Sequence, residues 1–118
     1  MKKYLAITLI FLYGCADVVS DQYATYQDAV KDELFQRGWL PEILPSTTKN
    51  IKTTNNLDIN YSFGHFEIPR NEIPEFISHL TKQSDNQYTY QNQSTTWRFE
   101  IDQNKGYVKY ELTYDRNS

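Results

Sequence analysis

The sequence predicts an α+β domain in which a small antiparallel sheet of about three strands packs against two helices. Three observations predict this fold class: apolar residues recur at helical spacing over residues 25–38, they do so again over 71–80, and they alternate with a period of two after residue 57. With 118 residues, the chain can bury one hydrophobic core but not two. We therefore expect one domain over residues 23–118.

The first predicted helix begins at Thr25, whose side chain can cap it, and ends at Gly38. Trp39 follows Gly38 and can fold back onto Leu34 or Phe35, as in a Schellman motif. The apolar stripe of this helix consists of Tyr26, Ala29, Val30 and Leu34. We expect this stripe to face the core.

The middle of the chain predicts a short helical turn, a strand and a second helix. Ser46 can cap the turn, which would reach about Ile51. The strand over residues 57–68 changes apolar parity at Gly64, which predicts a β-bulge there. Asn71 can cap the second helix, whose apolar stripe is Ile73, Phe76, Ile77 and Leu80. Residues 81–95 are polar and predict mainly a loop, with a short edge strand around Tyr88 as the alternative.

The carboxy-terminal segment predicts a β-hairpin with residues 103–106 as its loop. This register pairs apolar with apolar residues on one face and opposite charges on the other, and a shift by one residue destroys both patterns. The predicted pairs are Trp97 with Leu112, Phe99 with Tyr110, Ile101 with Val108, Arg98 with Glu111, and Glu100 with Lys109.

The amino terminus has the plan of an export signal: two lysines, an apolar run over residues 4–12 and a small residue, Gly14. The run is too short to span a bilayer, which takes about 20 residues. The residues before Cys15, the only cysteine, resemble the lipobox at which bacterial lipoproteins are cut and lipidated. We therefore expect a signal peptide over residues 1–14, acyl chains such as palmitate on Cys15, and a tether over 15–22. By resemblance to enterobacterial sorting rules, Ala16 favours the outer membrane over the inner one, with the domain in the periplasm.

The charge balance argues against a nucleic-acid partner. The formal net charge is −3, and loss of Lys2 and Lys3 with the signal would leave ten basic residues against fifteen acidic ones. Phosphate backbones need clustered positive charge, which this chain lacks. The two histidines, His65 and His79, have neither metal-site spacing nor a cysteine nearby, so we expect no metal or other cofactor.

Residues 23–68 resemble a family of small bacterial lipoproteins called YbbD-like. The most specific shared motifs are Gly-Trp-Leu-Pro at residues 38–41 and Leu-Pro-Ser at residues 44–46. The other shared residues are Tyr23, Ala24, Thr25, Tyr26, Ala29, Arg37, Ile51, Leu57, Asp58, Asn60, Gly64 and Phe66. The resemblance implies a lipid-anchored envelope protein and implies no reaction.

Three functional hypotheses follow, and the first is a non-enzymatic module that contacts an envelope protein. A ridge for that contact could be Trp39, Leu40, Pro41, Leu44 and Pro45, although covering the core is the interpretation we favour for this segment. The second is a small-ligand or glycan binder that uses Tyr61, Tyr88, Tyr90 and Tyr107. The third is a hydrolase, which requires Asp58, His65 and Glu67 to converge.

Overall fold

The computed structural model describes residues 18–114, and these form one seven-stranded antiparallel sheet with a covering layer on one face. The strands are β1 (Val18–Thr25), β2 (Lys49–Asn56), β3 (Tyr61–Glu67), β4 (Thr81–Ser84), β5 (Gln87–Asn92), β6 (Thr95–Asp102) and β7 (Tyr107–Tyr114). Their order across the sheet is β1-β2-β3-β7-β6-β5-β4. Helix α1 (Tyr26–Lys31), a 3-10 turn (Arg70–Glu72) and helix α2 (Ile73–Ile77) complete the regular structure.

The predicted fold class is wrong, because the described residues are mainly β. Three of the seven strands, β1, β2 and β4, were not predicted, and β5 was predicted only as the alternative edge strand around Tyr88. The core-facing positions of β1, β2 and β4 hold few apolar residues, so their alternation is weak in the sequence. In β2 these positions are Ile51, Thr53 and Asn55, of which one is apolar. These segments become strands because neighbouring strands pair with them, and a local sequence pattern contains no information about such pairing. Residues 18–22, assigned above to the tether, form the first part of β1.

The register of β3 also corrects a prediction, since no bulge occurs at Gly64. Ser62, Gly64 and Phe66 lie on the core face in unbroken pairing with β7. The irregularity is instead in β2, between Lys49 and Lys52. There Asn50 has a φ of 50°, and two residues of β2 lie opposite one of β3, as in a bulge with a left-handed first residue. Leu57 and Ile59 therefore lie in the turn after β2 and are exposed.

The hairpin of β6 and β7 has the predicted register. All five predicted residue pairs are partners in the structure. Trp97, Phe99 and Ile101 are buried on one face together with their partners on β7. Two independent patterns, apolar and charged, thus identified the pairing correctly.

Helix α1 is shorter than predicted because the chain makes two Schellman motifs in succession. The helix is capped by Thr25, whose hydroxyl accepts from the Asp28 N–H at 3.1 Å, as predicted. The first motif ends it: the Leu34 N–H donates to the Ala29 carbonyl at 3.0 Å, and Glu33 has a φ of 61°. The second motif follows at Gly38, where the Trp39 N–H donates to the Leu34 carbonyl at 3.3 Å.

The core lies between the sheet and a layer formed by α1, the segment 32–48 and α2. Phe66 of β3, Phe99 of β6 and Phe76 of α2 meet edge to face, with ring centroids 5.3–6.3 Å apart. Such pairs add about 0.5–1.5 kcal/mol each beyond the burial of their area. The predicted stripe of α2 faces this core, with Ile73 and Phe76 buried. Pro69 is the N-cap residue of the 3-10 turn and Glu72 is that of α2, and neither side chain forms a capping hydrogen bond.

Candidate functional site

The face of the sheet opposite the core is not covered by any described residue. We call it the open face. It consists of the strand positions that alternate with the core positions, and none of them is buried. The helices and the segment 32–48 all pack on the other face, as the contacts of Phe76 with Phe99 and of Trp39 with Trp97 show. The open face is therefore the largest surface on which these residues can meet another molecule.

Aromatic side chains form a row on β3 and β7 in the middle of the open face. Phe63 is 46% exposed, and its ring lies 5.9 Å from that of Tyr61. The His65 ring lies 5.3 Å from that of Tyr107. A row of half-exposed rings flanked by charges is typical of protein contact surfaces, which are enriched in aromatic residues.

Charged residues flank this aromatic row, and one of them is tied to it. The Tyr61 hydroxyl donates to the Glu111 carboxylate at 2.9 Å. This hydrogen bond, followed by burial and the negative charge of Glu111, raises the pKa of Tyr61. Arg98 and Glu111 are register partners, as are Glu100 and Lys109, yet neither pair forms a salt bridge. The charges of Arg98, Glu100 and Lys109 therefore remain available to a partner.

Behind the open face, the core side of β2, β3 and β7 holds a buried polar network. The Ser62 hydroxyl donates to the Asn55 side-chain oxygen at 2.6 Å and lies 2.7 Å from the Tyr110 hydroxyl. Its single proton goes to Asn55, so Ser62 accepts from Tyr110. Burial raises the pKa of Tyr110. This hydrogen-bond network holds β3 and β7, which carry the aromatic row, in place from the core side.

The predicted ridge over residues 39–45 packs largely into the core. Leu40, Pro41 and Leu44 are buried, while Trp39 and Pro45 are half-buried. The Trp39 carbonyl accepts from the Trp97 indole N–H at 3.0 Å, which ties this segment to β6. A partner contact at this segment stays a prediction.

The four tyrosines of the predicted ligand site do not form one surface. Tyr88 is buried and Tyr90 is half-buried, and both lie on the core face, where the Tyr90 ring is 5.8 Å from that of Trp97. Tyr61 and Tyr107 lie on the open face. The structure separates the set into two pairs on opposite sides of the sheet.

The predicted hydrolase residues are also spread along β3. His65 and Glu67 share the open face, whereas Asp58 lies in the turn before the strand. Four residues of strand from Tyr61 to His65 span about 13 Å, so Asp58 and His65 lie at different levels of the sheet. The described residues contain no group of three or more potential metal ligands.

Cys15, the predicted lipid attachment site, lies outside the described residues. Within residues 18–114, no helix is both long enough and apolar enough to cross a bilayer.

Seven large apolar side chains are exposed among the described residues. They are Val18, Val19, Val30, Leu57, Ile59, Phe63 and Tyr114.

The sequence did not identify the aromatic row, because the predicted bulge at Gly64 would put the apolar residues on both sides of it on the core face. The residues before the bulge are Leu57, Ile59, Tyr61 and Phe63. A signal was present nonetheless. The small residues of β3, Ser62 and Gly64, share a face with Phe66. Small residues on one face of a strand leave room for aromatic side chains from neighbouring strands to cross it. Phe63 then has to point the other way.

Comparison with known families agrees with the resemblance seen in the sequence. The family model described as YbbD head domain matches residues 17–67, which comprise β1, α1, β2 and β3. This match supports a YbbD-like family, which fits a protein associated with the cell envelope. The comparisons with curated proteins and with solved structures gave no match.

Proposed function

We propose that this chain, a member of a YbbD-like family by its match over residues 17–67, is a bacterial lipoprotein that binds an envelope protein. In this proposal Cys15 carries the lipid, the domain lies in the periplasm, and the outer membrane is its favoured location. The binding surface is the open face of the sheet. Its role is to hold a partner and involves no reaction.

The observation that supports the binding surface is the exposed aromatic row on an uncovered sheet. Phe63 leaves 46% of its surface exposed in the middle of the open face. Burying the exposed half of this ring in a partner contributes about 1 kcal/mol, and rigid aromatic anchors lose little conformational entropy. The nearby charges of Arg98 and Lys109 can set the orientation of the partner.

Support for lipid attachment comes from the sequence before Cys15. An apolar run over residues 4–12 is followed by Gly14 and the only cysteine of the chain. Two or three acyl chains, at about 0.8 kcal/mol per buried CH₂, would hold the protein on a bilayer far more firmly than one chain. Metabolic labelling with an alkyne palmitate tests this step. We expect label on the wild-type protein and none on Cys15→Ser, and equal labelling of both would refute lipidation at Cys15.

Crosslinking in living cells tests the binding surface. A photoreactive amino acid at position 63 should capture a protein of defined mass. The variant Phe63→Glu should reduce co-purification of that protein at least about tenfold, the loss expected for one anchor of 1.4 kcal/mol or more. Val30→Glu is the matched control, because Val30 is 47% exposed and lies on α1, away from the open face. An equal effect of the two variants would contradict a contact at the open face.

A second candidate function is the binding of a small polar ligand or a glycan. It is favoured by an open cleft of about 1040 Å³ at the end of the sheet where β6 turns into β7. Glu67, Glu100, Tyr107 and Lys109 are among its lining residues. Titration with neutral oligosaccharides, followed by amide NMR shifts, tests it. Saturable shifts confined to residues 100–109 would support it, and unchanged spectra at millimolar ligand would exclude these ligands.

A further inference from the structure

Most of the exposed large apolar side chains of the described residues lie at one end of the sheet. Five of the seven occupy this end, which we call the apolar tip: Val18, Val19, Leu57, Ile59 and Tyr114. Val18 begins β1 and pairs with Asn56, Leu57 and Ile59 lie in the β2–β3 turn, and Tyr114 ends β7. These strands are neighbours in the sheet, with about 4.8 Å between adjacent strands, so the five side chains surround one end of it on both faces.

The backbone of the β2–β3 turn holds two of these side chains outward. The Asp58 N–H donates to the Asn56 side-chain oxygen at 3.0 Å, which fixes the start of the turn. Asn60 closes the turn with a φ of 51°, a conformation that asparagine tolerates. Leu57 and Ile59 are 51% and 55% exposed in this arrangement. The backbone of the turn is thus held in a conformation that exposes two aliphatic side chains.

The apolar tip lies next to the predicted lipid. Two residues, Ala16 and Asp17, lie between Cys15 and Val18, which makes three Cα-to-Cα steps, and a fully extended chain spans at most about 3.6 Å per step. The Cα of Cys15 is therefore within about 11 Å of the Cα of Val18, however the chain runs between them. A lipid on Cys15 would bring the apolar tip to the headgroup layer of the same bilayer.

We propose that the apolar tip inserts into the interface of the bilayer that holds the Cys15 lipid. This inference rests on the proposed lipidation and adds a second, non-covalent membrane contact. Residues 18–30 and 53–66, which include four of the five side chains, contain no Lys or Arg, so these residues offer no basic contact to anionic lipids. The charge of Asp58 belongs in the headgroup layer, which limits insertion to the interface.

Insertion of the tip sets the orientation of the whole domain. The other end of the sheet, with the β6–β7 loop at residues 103–106, would point away from the membrane. An eight-residue strand is about 25 Å long, which separates that loop from the bilayer. The open face would then stand upright beside the membrane and be accessible to a partner.

A lipid-borne quencher tests this orientation in the full, lipidated protein. Ile59→Cys and Asn104→Cys are each labelled with an environment-sensitive thiol probe, and the proteins are reconstituted in phosphatidylethanolamine vesicles that contain nitroxide-labelled lipid. Both positions are exposed, one at the apolar tip and one at the opposite end. We expect the probe at residue 59 to be quenched at least about threefold more, because a strand length separates the two sites. Addition of Leu57→Asp to Ile59→Cys should abolish the difference.

Different results identify which proposal fails. Equal quenching at residues 59 and 104 would overturn insertion of the tip while leaving lipidation intact. A probe at residue 59 that is shielded from aqueous iodide but not reached by the lipid quencher would overturn it as well, because a protein would then cover the tip. If the wild-type protein takes up the thiol probe at Cys15, lipidation itself fails, and the inference fails with it.

Discussion

Gly64 of β3 and Tyr110 of β7 are register partners, and a Cβ at residue 64 would lie 3.0 Å from Cε2 of Tyr110. It would also lie 1.9 Å from the Lys52 carbonyl oxygen of β2. The glycine thus lets the tyrosine ring cross the strand and reach Ser62, which lies 2.7 Å from its hydroxyl. The close approach of three strands at this point depends on the missing side chain.

We predict that Gly64→Ala destabilises the protein by about 2 kcal/mol or more, because backbone atoms of β2 must move. Urea unfolding measured by tryptophan fluorescence checks this value. Gly38→Ala is the matched control. Gly38 has a φ of 86° but nothing within 4 Å of its would-be Cβ, so it should lose only about 1 kcal/mol. Equal losses would contradict the role of crowding at Gly64, whose φ is not positive.

We expect a glycine at position 33 to stabilise the folded protein relative to the natural Glu33. Its φ of 61° is strained for a residue with a side chain, and it forms the left-handed position of the first Schellman motif. Glu33→Gly should therefore raise the free energy of unfolding by about 0.5–1 kcal/mol. Lys31→Gly, inside α1, should instead lower it by about 1 kcal/mol. A loss of stability in both variants would contradict the role of Glu33.

Thr53 is fully buried, and its hydroxyl has no hydrogen-bond partner. We predict that Thr53→Val is neutral or stabilises the protein by about 1 kcal/mol, because it removes a desolvated polar group with little change in shape. Ser62→Ala should do the opposite and cost about 1–3 kcal/mol, since it leaves Asn55 and Tyr110 without their shared partner. Calorimetric unfolding of both variants distinguishes the two kinds of buried hydroxyl. Destabilisation by Thr53→Val would show that its hydroxyl is satisfied.

Two buried tyrosines predict that stability falls in alkaline solution. Burial raises the pKa of Tyr23 and Tyr110, and the hydrogen bond from the Tyr23 hydroxyl to Asp32 at 2.5 Å adds to the effect. The folded state then keeps these protons at a pH where the unfolded state loses them. Their contribution is complete below about pH 10, the ordinary pKa of tyrosine, and declines as the pH rises above it.

The urea midpoint at pH 8, 9.5, 10.5 and 11 checks this dependence. Tyr23→Phe should flatten the decline above pH 10, because it removes one of the buried tyrosines whose pKa is raised. Tyr114→Phe is the control, since it removes a hydroxyl from a tyrosine that is 47% exposed. A wild-type midpoint that stays constant to pH 11 would contradict the prediction.

The elements that were predicted correctly from the sequence are those whose two faces differ clearly in polarity and those that depend on a few neighbouring residues. The β6–β7 hairpin alternates Trp97, Phe99 and Ile101 with charged residues, so only one register satisfies both faces. The Thr25 cap and the Schellman motif at Gly38 were likewise predicted correctly, since each depends on a few neighbouring residues. These features are local, and local chemistry is sufficient to specify them.

The strands β1, β2 and β4 could not be predicted in the same way, and β5 was predicted only as an alternative to a loop. The core-facing positions of β1, β2 and β4 hold many polar residues, and such segments become strands only when a neighbour supplies their hydrogen bonds. The parity of β3 was wrong for a related reason. Exposed Leu57, Ile59 and Phe63 look like core residues in the sequence, and only the position of the turn and the bulge at Asn50 places them outside.

The sequence by itself therefore determined the hairpin register, the ends of the first helical region, the family resemblance and the expectation of a lipid on Cys15. The tertiary structure alone decided that residues 18–114 form one seven-stranded sheet, that none of these residues covers one of its faces, and that aliphatic side chains gather at the end of the sheet where β1 begins. The physical reason is the range of the interactions. Caps, turns and hairpins depend on residues close in sequence, whereas a sheet forms by pairing segments far apart in the chain, and only that pairing decides which apolar side chains remain exposed.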